Sequence, residues 1–100
     1  MDFATWLVQE RRRTGMTQRQ LAKKSGLSAG YVALLERGTS APPPLNTWKR
    51  LARAVGLQCE GVRYLYLATR LRTWLKREGY AAVSEAALVE IAKKIEDASR

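Results

Sequence analysis

Apolar residues return every three or four positions along most of this chain, the period of an amphipathic helix, and no useful stretch alternates as a half-buried strand would. The first helix is expected from Phe3 to about Arg13, capped by Asp2, with Phe3, Leu7 and the stem of Arg11 on one face and Gly15 at its end. Thr17 opens the second. With Gln20 three residues on it makes a capping box, in which each side chain meets a free backbone amide. Leu21 and Ala22 face inward, and Gly26 breaks this helix. Ser28 caps a third helix that runs to about Arg37, with Val32 and Leu35 on its inner side and Gly38 placed to end it.

Pro42, Pro43 and Pro44 cannot continue a helix, because each restricts the residue before it. A fourth helix starts near Pro44 or Leu45, turns Trp48, Leu51, Ala52 and Val55 inward, and stops at Gly56. The fifth is expected from about Gly61 to Glu78, with Gly79 as its stop. Its first half (Val62, Tyr64, Leu65, Tyr66, Leu67, Ala68) is apolar on nearly all sides, and its second half keeps Leu71, Trp74 and Leu75. Ser84 caps the sixth, where Val83 and Leu88 fit a hydrophobic staple and Leu88, Ile91, Ala92 and Ile95 form the inward stripe. The chain is therefore expected to be all-α, with no internal repeat.

Charge narrows the choice of partner. Lys and Arg number 18 against 9 acids in 100 residues, a net charge of +9, which favours a polyanion. Residues 1–57 hold ten of the basic residues and three acids, whereas residues 58–100 hold eight and six, so the polyanion is expected at the first half. Absence of histidine removes His-based zinc sites and catalysis, and the single Cys59 has no activating neighbour and reads as an inert thiol. No metal, no cofactor and no enzymatic activity are expected. The start lacks a signal-peptide pattern, and no apolar run approaches the roughly 18 residues of a membrane span. The expectation is a cytoplasmic chain that does not engage a membrane.

Two short capped helices joined by a glycine turn between Thr17 and Gly38 follow the helix-turn-helix plan. In it the second helix offers its N-terminal end to a DNA groove and keeps apolar residues on its rear face. The stretch Thr17-Gln18-Arg19-Gln20-Leu21-Ala22, then Ser25-Gly26-Leu27-Ser28, Tyr31-Val32, Leu35-Glu36-Arg37-Gly38, a proline, and Leu51-Ala52 resembles the Cro/repressor-type (xenobiotic-response-element) helix-turn-helix transcription regulator family. The likeness spans about Phe3 to Leu57.

The resemblance implies a lambda-repressor-like bundle of the first four helices, a DNA-binding domain over residues 1–57. Residues 58–100 would be a C-terminal helical hairpin for dimerisation. It implies a sequence-specific regulator, a repressor acting on double-stranded DNA as a homodimer at an inverted-repeat operator. Residue by residue, Gln18 falls where the family touches phosphate and base edge. Ser28, Ala29 and Gly30 fall where it faces bases, Tyr31 where it touches the backbone, and Leu34 one turn further along the groove. Arg37 and the loop Thr39–Ala41 are placed for phosphates. Arg11 and Glu36 match an internal ion pair. Capping alone also accounts for Gln18 and Ser28. The dimer interface is expected from Tyr64, Tyr66, Leu67, Leu71, Trp74, Leu88, Ile91 and Ile95. Trp6 lies off the face the family buries and is expected against the C-terminal segment.

One departure matters. Ala29, Gly30, Ala33 and Leu34 cannot pair bidentately with a base, so specificity would rest on Gln18, Arg19, Ser28, thymine methyls and DNA shape. That apolar surface motivates the alternative of an antitoxin or adaptor that keeps the fold and works through a protein partner. Arg12 and Arg13 stay open between phosphate contacts and a solvated helix end; Lys23 and Lys24 read as solvated.

Overall fold

A computed structural model describes residues 2–39, 41–80 and 83–99. Among these, all regular structure is helical: α1 (Phe3–Arg13), α2 (Gln18–Ser25), α3 (Ala29–Arg37), α4 (Leu45–Ala54), α5 (Cys59–Arg77) and α6 (Glu85–Ala98). The chain divides into two compact units, Met1–Cys59 and Glu60–Arg100.

Helix starts in the first unit follow from short polar side chains that satisfy the free amides of a first turn. Asp2 Oδ1 accepts from the Thr5 amide at 2.8 Å. Thr17 Oγ1 accepts from the Gln20 amide at 3.1 Å while Gln20 Oε1 accepts from the Thr17 amide at 2.8 Å, closing the capping box. Ser28 Oγ accepts from the Tyr31 amide at 3.1 Å. α4 has no side-chain cap; extended Pro44 delivers the chain into it. At the end of α3, Gly38 has φ +73°, and a Cβ there would lie 3.3 Å from the Ala4 Cβ, so α1 passes close to this turn.

α3 packs on both α1 and α2, and α4 packs on α2. The core takes Phe3, Trp6 and Leu7 from α1, Leu21 and Ala22 from α2, Val32 and Leu35 from α3, and Trp48, Leu51, Ala52 and Ala54 from α4, with Val55 just beyond. Trp6, expected against the C-terminal segment, is one of these core residues. Its ring lies 5.8 Å from Phe3 and 5.5 Å from Trp48, and Phe3 meets Trp48 edge-on at 4.6 Å. Phe3 and Trp6 are neighbours three apart on one helix face, so one indole on α4 covers both.

In the second unit α5 starts at Cys59, two residues before the expected Gly61. A glycine in a helix costs about 1 kcal/mol relative to alanine, and a helix of 19 residues carries it. Arg63 pairs with Glu96 at 3.3 Å and Arg72 pairs with Glu85, tying early α5 to late α6 and late α5 to early α6. Leu88 and Ala92 are buried, whereas Ile91 and Ile95 are 41% and 45% exposed, so the expected inward stripe of α6 is only half covered. One helix covers about one half of a broad apolar face. Cys59 begins α5, but its thiol lies outside the described side chains. Among the described residues no helix is long and apolar enough to cross a membrane.

Candidate nucleic-acid interface

The α2–turn–α3 segment shows its front to solvent because its rear is anchored. Val32 and Leu35 are buried at 0% and 2% exposure, which fixes the rotation of α3. That rotation leaves Ser28 and Gly30 exposed, Ala29, Tyr31 and Ala33 half-buried, and Leu34 exposed one turn on. A Cβ at Gly30 would meet nothing within 4 Å, so this edge of the helix is open. The first-turn amides of Ala29 and Gly30 have no intrahelical partner, and the helix dipole adds positive potential there. The N-terminus of α2, where exposed Arg19 follows Gln18, has the same polarity.

Arg19, Arg37 and Thr39 are exposed, and neither arginine has an acidic partner among the described residues. Ser40, in the loop expected to meet phosphates, lies outside the described residues.

Behind this surface sits an ionic junction. Arg11 donates from Nε to Glu36 Oε2 at 2.6 Å and from Nη2 to Oε1 at 3.0 Å, a two-pronged pair, while Nη1 donates to the Met16 carbonyl at 3.0 Å. The Glu36 side chain is 6% exposed and that of Arg11 16%. The hydrogen bonds to Glu36 raise the Arg11 pKa above its ordinary value; burial opposes the rise, and the carboxylate charge adds to it. Gln18 joins the same carboxylate, with Nε2 donating to Glu36 Oε1 at 3.1 Å. A DNA contact from Gln18 would therefore use its carbonyl oxygen or its second N–H. This link had no sequence signal, because a polar residue at a helix start reads equally as cap or contact.

Arg13 takes partners that neither of its two readings named. Its Nε donates to Glu10 at 2.7 Å and its Nη2 to the Val55 carbonyl at 2.7 Å, so it serves the C-terminal end of α4. Arg12 remains exposed, as do Lys23 and Lys24. Sequence reasoning missed Arg50. From α4 its Nε donates to the Ser25 carbonyl at 3.0 Å and its Nη2 to the Gly26 carbonyl at 2.9 Å, across the turn between α2 and α3. Backbone acceptors leave no trace in side-chain patterns. Arg50 also borders an open depression of about 250 Å³ with Lys24, Ser25, Arg53 and Ala54.

In the other unit the residues expected at a dimer interface divide. Leu88 is fully buried in the single chain. Tyr64, Tyr66, Leu67 and Leu71 are half-buried, and Trp74, Ile91 and Ile95 are exposed. Trp74 stacks on exposed Tyr80 at 6.4 Å between ring centres.

The family model for a helix-turn-helix domain matches residues 2–65. Neither the curated proteins nor the solved structures compared with the chain gave a match.

Proposed function

The chain belongs to the helix-turn-helix domain family, and from that membership we propose that it binds double-stranded DNA sequence-specifically to regulate transcription, as a repressor acting as a homodimer on an inverted-repeat operator. The observation that carries this reading is the front of α3: a first turn with Ser28 and Gly30 exposed over a buried Val32 and Leu35, beside arginines with no acidic partner among the described residues. Free amides and cations meet phosphates, and the first turn meets base edges.

Base reading by this helix is modest in polarity. Ser28 supplies one hydroxyl, Arg19 and Gln18 reach from α2, and Ala29, Ala33 and Leu34 suit thymine methyls. Gly30 lets the backbone approach closely. The preferred site is an AT-containing inverted repeat. Trp74, Ile91 and Ile95, exposed on α5 and α6, support a two-fold dimer, which spaces two recognition helices about 34 Å apart.

The test is selection of bound sequences from a random duplex pool, followed by gel shift at two salt concentrations. A palindromic consensus and a steep loss of affinity with salt support the reading. A consensus without symmetry removes the homodimer. Absence of binding at low salt removes DNA and leaves the protein-binding reading, an antitoxin or adaptor, which the exposed Leu34 favours.

A further inference from the structure

The turn between α2 and α3 takes an outside donor. Backbone bonds close part of α2: the Gly26 amide returns to Lys23 at 3.3 Å and the Leu27 amide to Ala22 at 2.9 Å. The carbonyls of Ser25 and Gly26 lie beyond that closure, and Arg50 takes both. Gly26 has φ +73°, and a Cβ there would stand 2.5 Å from Arg50 Nη2. Its glycine thus meets two demands, a left-handed backbone and room for a guanidinium laid over the turn. Only Leu27 separates Gly26 from Ser28, the cap of α3.

We propose that Arg50 is a positioning residue for DNA recognition: by holding the Ser25 and Gly26 carbonyls it fixes the turn, and so the angle at which α3 enters a groove. This rests on the DNA reading above. α4 contributes its rigidity, since Trp48, Leu51 and Ala52 beside Arg50 are almost wholly buried. A planar fork spans two neighbouring carbonyls; a lysine ammonium is a point donor and holds the turn less well. The negative end of α2 also suits a cation at this place.

Arg50→Ala and Arg50→Lys are compared with the wild type on the selected duplex and on random duplex, well below the unfolding temperature. For Arg50→Ala the ratio of the two affinities is expected to fall about tenfold, the scale of one or two lost charge-assisted hydrogen bonds. Arg50→Lys recovers part of it. The slope of log affinity against log salt stays unchanged. A slope smaller by roughly 0.9 identifies Arg50 as a phosphate ligand and overturns the proposal.

Amide hydrogen exchange supplies the second measurement. In Arg50→Ala, exchange is expected to speed up at residues 27–31 and hold steady at Leu7 and Leu51. Equal acceleration everywhere marks a general stabiliser, and no acceleration at residues 27–31 shows that the turn does not depend on Arg50; either result overturns the proposal. If the wild type binds no duplex at low salt, the DNA reading fails and the groove-entry role fails with it. Exchange then still reports whether Arg50 holds the turn.

Discussion

Glu36 joins three helices through single side chains. Its carboxylate accepts two bonds from Arg11 and one from Gln18, at 6% exposure. Glu36→Ala leaves the Arg11 charge half-buried without its partner, and breaking one side of such a pair costs about 3 kcal/mol. Urea unfolding at neutral pH checks this, and a loss below about 0.5 kcal/mol, the scale of an exposed pair, would show the junction to be decorative. Gly30 gives a test with opposite signs. Space around it is open, so Gly30→Ala raises stability by up to about 1 kcal/mol through helix propensity. If the backbone closes on DNA there, the same methyl lowers affinity. Unchanged affinity would place Gly30 away from the duplex. Of this junction the Arg11–Glu36 pair was legible through the family resemblance. The Gln18 bond was not, because glutamine has no preferred partner that spacing can reveal.

Ser28 is the cap of α3 and, in the proposed DNA reading, part of the surface that meets the duplex, and substitution separates the two roles. Ser28→Ala removes the bond from the Tyr31 amide and costs about 1 kcal/mol of stability. Ser28→Asp keeps a capping oxygen and adds a favourable charge at the helix N-terminus, so stability holds within about 0.5 kcal/mol. On the proposed DNA reading that carboxylate faces phosphates, and duplex affinity is expected to fall sharply. Thermal unfolding and gel shift on the same samples decide the matter; Ser28→Asp binding as tightly as wild type would put the front of α3 outside the DNA footprint. Helix boundaries were legible here because caps and glycines are local signals. α6 was harder. Its apolar positions share one side, yet only Leu88 and Ala92 are buried while Ile91 and Ile95 are not. Periodicity locates an apolar face without saying how much of it a neighbour covers.

Across the chain, charge and apolar exposure lie in different places, with the basic excess in the first half and Trp74, Ile91 and Ile95 exposed in the second. On the proposed reading, affinity for duplex is therefore expected to fall with salt, and association into the proposed dimer is not. Ile91→Glu with Ile95→Glu is expected to give a monomer by light scattering, with helical content preserved because both sites are exposed. On the proposed reading, such a variant is expected to bind a single half-site and to lose the preference for an inverted repeat. A wild-type chain that is already monomeric at working concentrations would remove the dimer from the account.

Local physics was enough for the helical class, most helix ends and the buried residues expected of α2 to α4, since each depends on residues within a few positions of one another. Contacts between distant segments needed three dimensions. The indole of Trp6 meets Trp48, Arg13 meets the Val55 carbonyl, Gln18 meets Glu36, and Arg50 spans the Ser25–Gly26 turn. Long side chains reach in many directions, and backbone carbonyls are the same at every residue, so only the packed chain selects which pairs meet.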